Sequence, residues 1–257
     1  MISGEKIKSF LRTDGVEVRA YEIIDSTNAE AKRYAAVASR SHPVLFLAGE
    51  QSAGRGRMGR SFLSRAESGI YMSLLYFTDQ ALSDVVSVTT AAAAITASAV
   101  EKIVGCELKI KWVNDLYNER GKVCGILAET QRTERGLAVI VGIGINLGED
   151  DFPEELRHIA STIGDAGGRE AELVATVADG LLAHAKDPSN RAYMKEYRAR
   201  FMLSEMHVDL FSGGERVGSG VVKGVEDDGG LLYLPDGASE PITVHSGEVT
   251  VRPAKDS

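Results

Sequence analysis

The sequence of 257 residues predicts an α+β protein, in which a mixed and largely antiparallel sheet packs with helices and a small β-barrel follows at the C-terminus. Strand-like and helix-like segments alternate through the first half of the chain. The strand-like segments between residues 108 and 144 are joined by links too short for the crossover that parallel neighbours need. Beyond Ser204, short strand-like runs follow one another closely between glycine-containing turns. We therefore expect two domains, at residues 1–204 and 205–257.

Apolar and β-branched runs predict the strands of the first domain. They cover residues 16–24, 43–48, 69–77, 108–113, 125–130 and 137–144. Helices are predicted at 28–38, 82–104 and 169–201, the last of them broken near Pro188 because proline cannot continue a helix. Asp25, Ser26 and Thr27 offer N-caps to the first helix.

The predicted barrel of about 50 residues consists of short strands at the spacing typical of small all-β domains. The strands are expected at 208–211, 217–225, 231–234, 242–245 and 249–251. Gly213-Gly214, Asp228-Gly229-Gly230 and Asp236-Gly237 supply turns between them.

Composition excludes several classes of protein. The net charge is −8, which argues against broad nucleic-acid binding. The two cysteines, Cys106 and Cys124, are too few for a disulfide scaffold and form no zinc motif. The N-terminus lacks the apolar core of a signal peptide, and no stretch is long and apolar enough to cross a membrane. We expect a soluble, cytoplasmic protein.

The segment Gly54–Ser61 is the most informative part of the chain. It contains three glycines and three arginines in eight residues and no acidic residue. Glycines let backbone N–H groups approach a ligand, and arginines match phosphate and carboxylate oxygens, so the segment is typical of an anion-binding loop. A solvated surface loop is the alternative interpretation.

This loop also matches two phosphate-binding motifs in part. Gly54, Gly56 and Gly59 have the spacing of a dinucleotide fingerprint, and Gly59-Arg60-Ser61 resembles the end of a P-loop with arginine in place of lysine. Both motifs require a helix directly after the glycines. The sequence predicts a strand there instead, so we interpret both matches as coincidental.

Five segments in a fixed order carry a more specific resemblance. They are Asp25–Asn28, Glu50–Arg60, Lys111–Tyr117, Lys122–Glu129 and Gly142–Leu147. Together they resemble the biotin–protein ligases, which attach biotin to the carrier domain of biotin-dependent carboxylases. The resemblance implies a class II synthetase-like ligase domain followed by an SH3-like barrel. It also implies ATP and biotin as substrates with Mg²⁺, a biotinyl-5′-adenylate intermediate, and a carboxyl carrier protein as partner.

Roles for individual residues follow from the same resemblance. Residues implied to bind biotin are Ser26, Thr27, Asn28, Gln51, Gly54, Arg55, Gly56, Arg57, Lys122 and Gly125. Residues implied to bind the nucleotide are Arg57, Arg60, Phe62, Lys111, Asn114 and Asn146. Catalytic roles are implied for Arg57, Asn114, Asp115 and Lys122, with Asp115 either orienting a lysine or binding Mg²⁺ through water. No direct metal ligand is assigned.

Structural roles are open alternatives for several of these residues. Ser26 and Thr27 also fit a helix N-cap, and Asn114-Asp115 also fits a turn between strands. Lys122 also fits a solvated hairpin. The sequence departs from the family pattern at Val113, Phe62 and Arg65, where proline, tryptophan and proline are usual.

Two other functions compete with the ligase. A lipoate–protein ligase shares the fold and the acyl-adenylate chemistry but would not need the polar cluster of Gln51 and Arg57. A non-catalytic biotin sensor would keep the pocket and transfer nothing. Only about 15 residues precede the first predicted strand, so we expect no DNA-binding repressor domain and no DNA partner. The resemblance is compatible with a homodimer.

Overall fold

The computed structural model describes residues 2–38, 42–79, 85–212, 215–245 and 249–253. The helices in these ranges are α1 Gly4–Phe10, α2 Thr27–Val37, α3 Val85–Val104, α4 Glu170–Lys186 and α5 Tyr193–Arg200. The strands are β1 Glu17–Ile24, β2 Val44–Gln51, β3 Gly69–Thr78, β4 Lys109–Lys111, β5 Asp115–Tyr117, β6 Lys122–Thr133, β7 Gly136–Asn146, β8 His207–Ser212, β9 Glu215–Val225, β10 Leu231–Pro235, β11 Ile242–Val244 and β12 Val249–Pro253.

The strands form two sheets. The larger has the order β1-β2-β3-β7-β6-β5-β4 and is antiparallel except for the parallel pair of β1 and β2. The smaller has the order β11-β10-β9-β8-β12 and is antiparallel throughout. The predicted fold class, a mixed sheet packed with helices plus a small antiparallel unit at the C-terminus, is confirmed.

Two elements differ from the sequence prediction. The strand predicted at 108–113 ends at Lys111, because the chain turns through Trp112 and Asn114 and returns as β5. The peptide bond between Trp112 and Val113 is cis. Helix α1 was not predicted, since its short sequence buries only Ile7 and has little apolar periodicity. The proposed turn at Gly213-Gly214 and helical residues 82–84 lie outside the described residues.

The large sheet is covered differently on its two faces. Alternate residues of a strand point to opposite faces. In β2, Val44 and Phe46 pack with α2, whereas Leu45 and Leu47 belong to the larger core cluster, which also contains the buried residues of α3 and α4. Helix α2 covers only part of its face, next to Ala138 and Ile140 of β7. Beyond Ile140 the residues of β7 that continue this face are Gly142 and Gly144, so a cavity opens where α2 begins.

The C-terminal sheet is hydrogen-bonded to the turn between β4 and β5. The indole N–H of buried Trp112 donates to the carbonyl of Gly229 at 2.8 Å. Arg198 Nε of α5 donates to the carbonyl of Val225 at 3.0 Å, and its guanidinium pairs with Asp227 at 2.5 Å. These bonds join the two predicted domains, whose division at residue 204 stays a prediction.

Among the described helices, none has the length and hydropathy needed to span a bilayer.

We expect Trp112→Phe to lower the free energy of unfolding by about 1–3 kcal/mol, because it leaves the buried Gly229 carbonyl without its donor. Chemical unfolding followed by circular dichroism measures the change. Tyr233→Phe is the matched control, since it removes a buried hydroxyl that has no hydrogen-bond partner in the described structure. Equal stability losses in the two variants would contradict the role of the Trp112–Gly229 bond.

Candidate active site

A cavity of about 540 Å³ lies on the face of the large sheet that α2 only partly covers. Its size is that of a small-molecule site. All of the sequence-predicted site residues except Gly54 line it: Ser26, Thr27, Asn28, Gln51, Arg55, Gly56, Arg57, Arg60, Phe62, Lys111, Asn114, Asp115, Lys122, Gly125 and Asn146. Residues far apart in sequence therefore meet in one place.

One end of the cavity is neutral and polar. Ser26 is the N-cap of α2, accepting from the Ala29 N–H at 3.5 Å, so the predicted capping role is confirmed. Gln51 Oε1 accepts from the Thr27 N–H at 2.8 Å and lies 3.1 Å from the Thr27 hydroxyl. Asn28 also lines the cavity, but its amide bonds to protein groups behind it.

The glycine- and arginine-rich loop is folded back on itself. The two arms of the loop flank a single 3₁₀ turn at Arg57–Gly59. Two hydrogen bonds join these arms: the Gly56 N–H donates to the Arg60 carbonyl at 2.7 Å, and the Phe62 N–H donates to the Gly54 carbonyl at 2.9 Å. Gly54 is buried, and a Cβ there would lie 2.3 Å from the Phe62 carbonyl oxygen. Its role in the structure is to let the two arms of the loop meet. No α-helix follows the glycines, in agreement with the rejection of both phosphate motifs.

The other end of the cavity is cationic. Half-buried Arg57 donates from Nη1 to Asn114 Oδ1 at 3.1 Å, and Asn114 Nδ2 donates to the Ile126 carbonyl at 2.9 Å. Burial lowers the pKa of Arg57, and the nearby carboxylate of Asp115 partly opposes that effect. Since an arginine pKa starts far above neutrality, Arg57 stays a cation held in one orientation by Asn114.

Asp115 forms an ion pair with Lys122, with Asp115 Oδ1 2.8 Å from Lys122 Nζ. Both side chains are about one-quarter to one-third exposed, at 24% and 31%. The pair places the ammonium at the cavity wall, so Lys122, although it lies at the end of the β5–β6 hairpin and stays partly exposed, is more than a solvated hairpin residue. Lys111 lies near this end, with its Nζ 5.7 Å from the centre of the Tyr117 ring. Burial raises the pKa of Tyr117 to about 12, so the ring under Lys111 is a neutral phenol.

Glycines in β6 and β7 make room for Phe62. Gly125 and Gly144 are register partners, and a Cβ on Gly144 would lie 2.4 Å from the Phe62 ring. The ring therefore packs against the backbone of both strands at these two glycines. Phe62 replaces the usual tryptophan of the family pattern and still presents an aromatic face to the cavity.

The sequence analysis missed one wall of the cavity. Residues 148–163, here called the wall segment, contribute Phe152, Leu156, Ile159 and Ala160 to the lining. The segment runs beside Lys122, whose N–H donates to the Ile159 carbonyl at 2.9 Å. Asn146 Nδ2 holds it through the Ser161 carbonyl at 3.0 Å. The i, i+4, i+7 spacing of Phe152, Leu156 and Ile159 in a polar stretch is the signal that would have found this wall.

The comparisons with known proteins agree with this site. Residues 20–146 match the biotin/lipoate A/B protein ligase family, and this part of the chain is a domain of that family. The sequence-based resemblance is thereby confirmed. The wall segment and the C-terminal sheet lie outside the matched residues.

Individual relatives give the same result. The bifunctional ligase/repressor BirA of Bacillus spizizenii is 35% identical over 192 residues, which are 72% of this chain and 58% of that protein. The biotin–[acetyl-CoA-carboxylase] ligase of Mycobacterium tuberculosis is 28% identical over 236 residues, 87% of this chain and 85% of the relative. The chain thus spans 58% of the Bacillus relative's length. The biotin protein ligase of Aquifex aeolicus, solved with biotin and ATP, shares the fold with a TM-score of 0.76, at 24% identity over 93% of this chain and 99% of the other.

We expect Gly142→Ala to lower the free energy of unfolding by about 1–3 kcal/mol, because its Cβ would lie 2.1 Å from Asn28 Oδ1. The Asn28 amide could move away only by giving up its hydrogen bonds to Glu129 and to the Leu127 carbonyl. Gly218→Ala on β9 is the matched control, since the nearest atom to its Cβ is 3.7 Å away. Chemical unfolding of both variants measures the difference. A Gly142→Ala variant as stable as the Gly218→Ala variant would contradict the close packing under the cavity.

Proposed function

We propose that this protein is an ATP-dependent biotin–protein ligase that forms biotinyl-5′-adenylate and transfers biotin to a lysine of a biotin carboxyl carrier protein or domain. One observation carries the proposal: a single cavity joins a neutral polar end, at Thr27 and Gln51, to a cationic end, at Arg57 and Lys122. Biotin has the same division, with a neutral cyclic urea at one end and a carboxylate at the other. The relatives named as biotin ligases support this assignment.

The first proposed step joins two anions. The biotin carboxylate oxygen attacks the α-phosphorus of ATP, the bond from that phosphorus to the bridging oxygen breaks, and pyrophosphate leaves. Carboxylate and triphosphate repel each other, so fixed cations at the point where they meet lower the barrier. Arg57, held by Asn114, and Lys122, held by Asp115, supply those charges in defined positions.

The second proposed step transfers the biotinyl group. The neutral amine of the acceptor lysine attacks the carbonyl carbon of the mixed anhydride, AMP leaves with the bridging oxygen, and the amine loses a proton to solvent. Phe62 and the apolar residues of the wall segment line the cavity and would limit the access of water to the anhydride. We further propose that the reaction takes place in the cytoplasm and involves no DNA; the net charge of −8 supports the second point.

Mg²⁺ is part of the proposal as the usual companion of ATP. Among the described residues that line the cavity, Asp115 is the one carboxylate, and it is paired with Lys122. The described residues contain no group of three potential metal ligands from histidine, cysteine, aspartate and glutamate. This fits an ion held chiefly by phosphate oxygens and water, as Mg²⁺ commonly is, with Asp115 reaching it through water.

We expect ATP–pyrophosphate exchange to depend on biotin, and a carrier domain incubated with biotin, ATP and Mg²⁺ to gain one biotinyl group by mass spectrometry. Exchange with lipoate in place of biotin would assign the cavity to lipoate instead. Exchange with biotin but no labelling of the carrier domain would indicate a sensor that does not transfer. A DNA fragment retained in a sequence-specific manner at physiological salt would contradict the absence of a DNA partner.

We expect Arg57→Ala to slow biotin-dependent exchange by about 100-fold or more and to shorten the retention of the adenylate, because one fixed cation worth about 3 kcal/mol of charge stabilisation is lost. The free energy of unfolding should change little, since the guanidinium is only half-buried. Arg135→Ala, at an exposed turn between β6 and β7, is the control and should keep full exchange. An unchanged adenylate lifetime in Arg57→Ala would remove Arg57 from the mechanism.

A further inference from the structure

The last part of the wall segment, residues 159–163, is bonded directly to the backbone of Lys122 and is here called the return arm. The Lys122 N–H donates to the Ile159 carbonyl at 2.9 Å, and the Lys122 carbonyl accepts from the Ser161 N–H at 2.8 Å. The arm thus pairs with Lys122 as a parallel strand would. Because both backbone groups of Lys122 are bonded to the return arm, the position of its ammonium at the cavity wall depends on where that arm lies.

The amide of Asn118 bonds to both the β5–β6 turn and the return arm. Asn118 begins this turn, at residues 118–121, and is not among the described residues that line the cavity. Its Oδ1 accepts from the N–H groups of Arg120 at 2.9 Å and of Gly121 at 3.0 Å. Its Nδ2 donates to the Thr162 carbonyl at 2.9 Å. These partners fix the orientation of the amide, because a backbone N–H only donates and a carbonyl only accepts.

Both backbone groups of Thr162 are held in this way. The Thr162 N–H donates to Asp150 Oδ1 at 2.9 Å, and Asp150 pairs with the guanidinium of Arg120. A longer contact, at 3.4 Å, joins Arg120 Nη2 to the Thr162 carbonyl. Thr162 is only 2% exposed, so water cannot replace a lost partner there without entering the fold. The bond from Asn118 is therefore the main support of this carbonyl.

The return arm also packs against the backbone of the turn. A Cβ on Gly121 would lie 3.1 Å from the Ile159 carbonyl oxygen and 3.1 Å from the Ala160 carbonyl carbon. The turn and the arm consequently move together, and Lys122 lies at their junction.

We infer that Asn118 is a positioning residue that places Lys122 by joining the hairpin turn to the return arm. The inference rests on the proposed function and adds to its first step a residue that does not line the cavity. Asn118 lies between Lys111–Tyr117 and Lys122–Glu129, two of the five segments of the family resemblance, so that resemblance assigns it no role. A cation stabilises the transition state only where charge develops, so a displaced Lys122 ammonium lowers kcat more than it raises KM.

Asn118→Asp separates the two kinds of bond that the amide makes. A carboxylate keeps the acceptor for the turn but cannot donate to the Thr162 carbonyl, so this variant releases the return arm alone. In the full chain, we expect Asn118→Asp to lower the kcat of biotin-dependent ATP–pyrophosphate exchange about ten-fold and to change the KM for biotin less than about three-fold. Asn190→Asp is the matched control, since exposed Asn190 likewise accepts a backbone N–H, that of Ala192 at 2.9 Å, and should keep full exchange.

A double-mutant cycle tests whether Asn118 acts through the Lys122 ammonium. Lys122→Met keeps the backbone and an unbranched side chain and removes the charge. In this background, with exchange measured at higher enzyme concentration, Asn118→Asp should change kcat less than about two-fold. A general packing defect would instead slow exchange by the same factor in both backgrounds.

The outcomes separate the inference from the proposed function. If the unaltered protein shows no biotin-dependent exchange, both fail. If it shows exchange and Asn118→Asp leaves kcat unchanged, or lowers kcat equally with and without the Lys122 ammonium, only the inference fails. Thermal unfolding reports whether each variant folds. Asn118→Ser, which keeps an acceptor for the turn and lacks the amide N–H, replaces Asn118→Asp in the cycle if the aspartate variant unfolds, with the same expected results.

Discussion

The lack of side chains at three positions under the cavity is the constraint on which the site depends. Gly142 and Gly144 of β7 and Gly125 of β6 continue the sheet face that α2 covers further along the strands. The first leaves room for the Asn28 amide, and the other two leave room for the Phe62 ring. Any larger residue would fill the cavity from below. The sheet can therefore be close-packed against helices along most of this face and still be open where the ligand must enter.

The charges of the site differ from those of the whole molecule. The chain is acidic overall, with a net charge of −8. The described lining of the cavity nevertheless contains several arginine and lysine side chains and one carboxylate. That carboxylate, Asp115, pairs with Lys122, and a neutral amide, Asn114, orients Arg57. The cations are thus fixed in place without being fully neutralised. This arrangement suits the meeting of two anionic substrates, because the charges need no reorganisation during the reaction.

Much of the fold and most of the cavity lining could be predicted from the sequence, because strand periodicity, helix caps and the five ordered segments are local signals. The prediction failed where the signal was weak or non-local. β4 and β5 are three residues each, too short for a periodic pattern. Ser73 stands in a run of apolar residues, and only the fold shows that it meets Asn28 and Thr27. The apolar residues of the wall segment have helix-like spacing, but they are few, lie in a polar stretch and form turns without a regular strand or α-helix, so their signal is weak.

The C-terminal sheet is connected to the chemistry more closely than its position in the sequence indicates. Trp112 stands between Lys111 and the pair Asn114-Asp115, all of which line the cavity. The indole N–H of Trp112 donates to the carbonyl of Gly229, in the turn between β9 and β10. Helix α5 also contacts both segments. Tyr197 donates to the Val113 carbonyl, in the turn between β4 and β5, at 3.3 Å. Its neighbour Arg198 donates to the Val225 carbonyl and pairs with Asp227. The segment that carries Asn114 and Asp115, for which we propose roles in the first step, is therefore fixed from both predicted domains. Because the orientation of Arg57 depends on Asn114, the C-terminal sheet contributes to the geometry of a site that it does not line.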